Sequence, residues 1–137
     1  MSRENVEVVQ RLIEANRSGD IDASVQTAIA LTDPSLELTS RMAAVEPGTY
    51  RGHDGIRRYL SDMAASWEEW RNDVEEISEV ARDTVVTTMR TRVIGKGSGV
   101  PIETRIYAVW DLSNGKVWRV RNYADRSEAL EAVGLSE

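Results

Sequence analysis

The sequence contains no cysteine. Disulfides, thiolate zinc sites and cysteine nucleophiles are thereby excluded, and a reducing cytoplasm is the expected location. Histidine is nearly absent too, with His53 the single one. One imidazole without clustered carboxylates does not make a transition-metal site, so no metal is expected. No apolar run nears the ~20 residues of a membrane span, and the opening MSRENVEVV lacks an apolar signal core. A membrane partner is therefore not expected. A basic surplus is also missing: 17 Lys and Arg stand against 23 Asp and Glu, for a net charge of -6. That removes global electrostatic support for binding nucleic acid. There is no phosphate loop or dinucleotide fingerprint, since the GKGSG of Gly95–Gly99 falls between strands rather than before a helix; no cofactor is expected. Low-complexity segments, long linkers and repeats are absent. The 137 residues, 41% hydrophobic and 29% charged, read as one domain over 1–137. Such a chain buries roughly two-thirds of its unfolded surface, enough for a core without staples.

What is present is periodicity. Val6, Val9, Leu12 and Ile13 recur at helical spacing, predicting a helix over about Arg3 to Arg17 with Ser2 as N-cap and Ser18-Gly19-Asp20 as its stop. A second helix is predicted over Ile21–Leu31, with Val25, Ala28 and Ile29 inward, ending before Pro34. Leu36 and Leu38 alternate with Glu37 and Thr39, which predicts a short strand over Ser35–Ser40 with Glu37 outside. Residues Arg41–Thr49, with Pro47-Gly48, read as a loop. A third helix is predicted from about Gly55 to Trp67 or Trp70, with Asp54 as N-cap and Ile56, Tyr59, Leu60, Met63 and Trp67 as its stripe. Residues 71–82 admit helix or strand; a strand is preferred because it leads into a run of β-rich segments.

From Thr84 to Ala124 the chain reads as a three-stranded antiparallel meander. Its strands are Thr84–Ile94, Ile102–Leu112 and Val117–Ala124, and Asn114-Gly115 is a strong hairpin signal. Asp125-Arg-Ser-Glu128 opens a short terminal helix over Arg126–Val133, stopped by Gly134. Helices first and a meander after predict an α+β domain with helices on one face of the sheet. Strand alternation assigns the inner face. It takes Val85, Thr87, Met89, Thr91 and Val93, then Ile102, Thr104, Ile106, Ala108, Trp110 and Leu112, then Trp118, Val120, Asn122 and Ala124. A mostly apolar wall with a few polar groups is what small-ligand sites look like. The outer face carries Arg90, Arg92, Arg105, Tyr107, Arg119 and Arg121. It reads as a solvated face, a polar homodimer interface or, least in keeping with the acidic chain, a phosphate patch.

The α-α-β-α order, Tyr50-Arg-Gly-His-Asp-Gly-Ile56, Val109-Trp110-Asp-Leu-Ser-Asn-Gly-Lys-Val117 and Tyr123-Ala-Asp-Arg-Ser-Glu-Ala-Leu130 resemble the SnoaL-like proteins. These belong to the nuclear-transport-factor-2-like superfamily, with ketosteroid isomerase and limonene-epoxide hydrolase. The resemblance implies a cone-shaped barrel of a curved, mostly antiparallel sheet packed on three helices with a short C-terminal helix. It also implies a pocket between them and often a sheet-to-sheet homodimer. It does not transfer a reaction. The charged positions of the epoxide hydrolases fall here on Met89, Thr91 and Asn122. Shifting the strand by one gives Arg90 and Arg92 and still no carboxylate. The isomerase base falls near Thr39 or Ser40, and the first helix has no tyrosine.

Two functional classes and a structural one are compatible with these residues. A binding protein would take a small apolar, polyketide-, terpenoid- or steroid-like molecule against Tyr59, Trp67, Met89, Thr91, Ala108, Trp110, Trp118, Val120 and Asn122. A cofactor-independent isomerase or cyclase would use His53 or Asp54, or a carboxylate such as Glu37 in another register, as acid/base. A dimerising domain with a closed core would need no site. Each residue also has a structural role available. His53 can be a loop residue, Asp54 a cap, Asn122 a partner for buried backbone, and the tryptophans core.

Overall fold

The computed structural model describes residues 3–40 and 48–135. In chain order the elements are α1 (Arg3–Ala15), α2 (Ile21–Leu31), β1 (Thr32–Thr39), β2 (Thr49–Arg51) and α3 (Gly52–Ser66), then β3 (Trp67–Ala81), β4 (Thr84–Gly95), β5 (Pro101–Ser113), β6 (Lys116–Tyr123) and α4 (Arg126–Ala132). The expected cap at Ser2 and most of the loop after Ser40 lie outside the described residues. One six-stranded, curved and unclosed sheet has the order β2-β1-β6-β5-β4-β3. All its pairs are antiparallel except β1 with β6, which run parallel. Among the described residues no helix is long and apolar enough to cross a membrane.

The helices cover the inner face as their stripes dictate. Val9, Leu12 and Ile13 of α1 and Ile56, Tyr59, Leu60 and Met63 of α3 are buried in one core with Val85, Met89 and Val93 of β4 and Ile106, Ala108, Trp110 and Leu112 of β5. The inner set of β4 is the one that alternation selected. In β5 the alternation holds only from Ile106 onward. Ile102 is 48% exposed, because the first half of the strand projects beyond the helical cover.

Several boundaries moved, each for a local reason. The first helix stops at Ala15, two residues early, because the chain turns to meet β3. The Ser18 backbone N–H donates to the Trp70 carbonyl at 3.0 Å, and the Trp70 N–H donates to Ser18 Oγ at 3.1 Å. Residues 71–81 are strand, as preferred, with Arg82 in the following turn, and the strand begins at Trp67. Trp67 therefore leaves the α3 stripe and packs, partly buried, at the start of β3. The helix α3 opens at Gly52, not Gly55, with Arg51 at the N-cap position and no side-chain cap bond. Gly52 has φ +68, and a Cβ there would lie 3.3 Å from the Pro34 carbonyl oxygen, so glycine turns the chain from β2 straight into the helix. Asp54 is thus a first-turn residue rather than a cap, where it still favours the positive helix end.

The last strand carries a bulge. Asp111 pairs with Arg119 and Leu112 with Val117, leaving Trp118 as the extra residue. Val117, fully buried, takes the core position that alternation assigned to Trp118. Trp118 instead stacks beneath the Arg119 guanidinium, 4.8 Å from its ring centre.

The outer face is not uniformly solvated. The α4 helix, capped by Asp125 through the Glu128 N–H at 2.8 Å, lies on it, and Ala129 packs with Val86 and Val109. The outer arginines are held by carboxylates. Arg90 and Arg105 share Glu75, at 3.1 and 2.7 Å. Arg119 and Arg121 share the buried Asp111, at 2.8 and 3.2 Å. The Arg105 hydrogen bond, then its charge and that of Arg90, hold the Glu75 carboxyl below its ordinary range.

Candidate functional site

A partly open cavity lies between α1, α2, α3 and the inner face of the sheet. The space within it open to the centre of a water molecule is about 100 Å³. One water needs roughly 10–15 Å³ on that measure, so there is room for a compact organic molecule. The apolar walls come from Leu12 and Ile13 on α1, Ile56 and Met63 on α3, and Ile106 and Val120 on the sheet.

One side of the cavity is a connected polar wall. The Trp70 indole N–H donates to Asn16 Oδ1 at 3.1 Å. Indole can only donate, so this contact fixes the Asn16 amide and turns its Nδ2 to the Tyr59 hydroxyl, 3.1 Å away. Asn72 Nδ2 donates to the Asn16 backbone carbonyl at 3.0 Å, and Thr91 donates to Asn72 Oδ1 at 2.7 Å. Tyr59 also hydrogen-bonds Ser40, and burial pushes its phenol above the ordinary value against these two bonds. Opposite, the Trp110 indole donates to Thr87 at 2.9 Å, which satisfies a second buried ring nitrogen.

Of the residues expected to contact a ligand, Tyr59, Met89, Thr91, Trp110, Val120 and Asn122 line this cavity. Ala108 does not: it is completely buried within the core. Trp67 and Trp118 do not line it either, for the boundary and bulge reasons above. His53 also stands outside the lining, with Nε2 donating to the Thr32 carbonyl at 3.2 Å. Asp54 points to solvent with its side chain 99% exposed, paired with Arg57. Glu37, the carboxylate considered in another register, pairs with Arg51, and Asp111 is held on the outer face. Among the described residues no cluster of His, Asp or Glu could hold a metal ion.

Five polar lining residues were not among the expected ligand contacts: Ser24 on α2, Thr32 at the start of β1, and Asn16, Ser40 and Asn72. For the last three the signals were present. Asn16 continues the α1 stripe at the next helical step from Leu12 and Ile13. Ser40 continues the alternation of Leu36 and Leu38, and Asn72 that of Trp70.

An open α+β sheet with three helices closing a cavity against its inner face defines a nuclear-transport-factor-2-like fold. Solved structures support it. TerC, co-crystallised with polyporic acid, superposes with a TM-score of 0.75 at 21% identity over 89% of this chain and 92% of that one. A SnoaL-like polyketide cyclase, so described, from a Jannaschia species gives 0.72 at 20% identity over 98% and 93%. A protein with a ketosteroid isomerase-like fold from Catenulispora acidiphila, in complex with trimethylamine, gives 0.73 at 17% identity over 94% and 93%. A sequence search among curated proteins gave no significant match. The SnoaL-like domain profile matches residues 9–120, and the chain belongs to that family.

Proposed function

We propose that this protein binds a small, mostly apolar molecule in the cavity between α1–α3 and the sheet, without a reaction of its own. The observation that carries the reading is the lining itself. It is apolar on most sides and has one oriented polar wall, and none of its described members is a carboxylate or imidazole. General acid/base chemistry near neutral pH needs a group that titrates there within hydrogen-bond reach of the substrate; His53 and Asp54 are not in the lining, and burial holds the Tyr59 phenol protonated. Binding is therefore preferred to isomerase or cyclase activity. The polyporic acid and trimethylamine complexes of two proteins with this fold support a small-molecule role. Asn122 is the contact that orients the ligand: it lines the cavity beside Val120 and Trp110, and no hydrogen bond of its amide is formed within the described chain. The ligand class is a compact polyketide-, terpenoid- or steroid-like ring, with any larger part emerging at the open side. Native mass spectrometry of the purified protein, with thermal shifts across sterol, polyketide and terpene panels, tests this. A ligand at 100 times its Kd stabilises by about 2.7 kcal/mol. A flat response across all three panels, with nothing co-purifying, removes the reading.

The same reading includes a homodimer through the outer face around Arg90, Arg92 and Arg105, with Tyr107, Arg119 and Arg121 beside α4. Glu75 and Asp111 each hold two of these arginines within one chain, offsetting two of the five positive charges, and the arginine stems and Tyr107 supply amphipathic contact area. Sedimentation at high protein concentration is the test, and a monomer there sinks the dimer.

A further inference from the structure

The cavity carries information about charge as well as shape. Its described lining has no carboxylate, ammonium, guanidinium or imidazole. The amide oxygens of its polar wall are partly used: Asn16 Oδ1 receives the Trp70 indole and Asn72 Oδ1 receives Thr91, one bond to each. Each of these two amides spends one N–H on the protein, on the Tyr59 hydroxyl and on the Asn16 carbonyl, and keeps a second. Asn122 keeps its whole amide. Among the described residues the wall is thus polar but neutral: it offers amide N–H donors and neutral oxygens, and no full charge of either sign. Two acidic groups on elements that line the cavity are occupied elsewhere. The Tyr50 hydroxyl donates to Asp62 at 2.6 Å, and Asp111 is bound to Arg119 and Arg121.

From this pattern we infer that the site selects uncharged ligands whose polar handle is a carbonyl-type oxygen held by the Asn122 amide, and rejects carboxylate and ammonium molecules of the same shape. The inference rests on the cavity being a ligand site. A buried charge is tolerated only when paired and hydrogen-bonded. A carboxylate here would meet neutral donors and, among the described residues, no cation. An ammonium would meet neutral amide and hydroxyl oxygens and, among the described residues, no carboxylate to pair with. A ketone needs neither, because one acceptor oxygen is matched by one amide N–H and the remaining surface is apolar.

Three probes of nearly equal size separate the cases: acetophenone, benzoate and benzylammonium, titrated at pH 7.5 and followed through the side-chain amide signals of Asn122, Asn16 and Asn72 in ¹⁵N NMR. Acetophenone is expected to shift the Asn122 signal with saturation, and both ions to bind at least ~30-fold more weakly. Asn122→Asp places one carboxylate in the cavity and should reverse the order, with benzylammonium gaining about 10-fold or more and acetophenone losing affinity. Either ion binding the wild type within threefold of acetophenone overturns the charge selection and leaves the ligand pocket standing. No shift with any probe up to millimolar concentration overturns the pocket reading itself. Acetophenone binding that Asn122→Asp leaves unchanged removes Asn122 as the contact. If that variant does not fold, the three-probe comparison on the wild type decides the charge selection alone.

Discussion

Asn16→Ala is the perturbation that bears most directly on how the polar wall is held. Asn16 Oδ1 is the acceptor of the Trp70 indole N–H, and Trp70 is only 3% exposed. Truncation leaves that donor buried without its partner, a loss of about 1–3 kcal/mol. Tyr59 loses the Asn16 amide but keeps its bond to Ser40, which costs about 0.5–1.5 kcal/mol more. The Asn16 backbone carbonyl remains, so the Asn72 contact survives. The expected total is about 2–4 kcal/mol, a substantial part of the roughly 5–15 kcal/mol that holds a domain folded. For this chain length that corresponds to roughly 10 °C in Tm. Urea unfolding followed by tryptophan fluorescence measures the loss, and a Trp70→Phe partner completes a double-mutant cycle. With the indole removed, the orphaned donor is gone, so Asn16→Ala should cost less by about 1–3 kcal/mol in that background. A single-variant loss below about 0.5 kcal/mol, or a coupling within error of zero, would refute the claim that these hydrogen bonds organise the wall.

Other contacts give three further expected outcomes. Gly52→Ala forces φ +68 on a residue with a Cβ and presses that Cβ toward the Pro34 carbonyl. It should cost about 1–2 kcal/mol in urea unfolding, and a neutral result would mean the β2–α3 junction relaxes freely. Tyr50 is pushed up to about 12 by burial and by the Asp62 carboxylate that accepts its proton. A raised phenol stabilises the fold fully below its unfolded pKa near 10, and that contribution fades as pH rises toward 12. The absorbance difference at 295 nm between wild type and Tyr50→Phe should therefore develop near pH 12, and development near pH 10 would contradict the burial argument. Asp125→Ala removes the side chain that accepts the Glu128 N–H at the start of α4. It should cost about 1 kcal/mol and expose the Val86 and Val109 amides to faster hydrogen exchange, whereas unchanged protection would show that packing alone holds α4.

Much of the architecture was written in short stretches of chain. The Asn114-Gly115 turn has both residues at positive φ, as a tight hairpin demands. The Asp125 cap, the α1 and α3 stripes and the inner set of β4 are set by residues within one or two turns or strands of each other, and all were legible. So were six of the cavity-lining side chains, because alternation along a strand and recurrence along a helix survive folding unchanged. The inner face itself, and with it the idea of a small-molecule wall, needed nothing more than period two.

Three things needed the third dimension. The β1–β6 pairing is parallel and joins segments about eighty residues apart, which no local pattern encodes. The bulge at Trp118 exchanges that residue for Val117, because one extra residue shifts the period-two assignment on the Val117 side and leaves Val120 and Asn122 inward. The polar wall joins Asn16 to Tyr59, Trp70 and Asn72 over separations of 43 to 56 residues. The sequence by itself determined which hydrogen-bonding groups were available and placed Tyr59 on an inward-facing position. Only the tertiary structure decided that they meet, which of their hydrogen bonds are already spent, and that His53, Asp54 and the acidic residues face elsewhere. Periodicity is a property of one element. Hydrogen-bond satisfaction and charge at a site depend on what other elements bring to the same few ångströms.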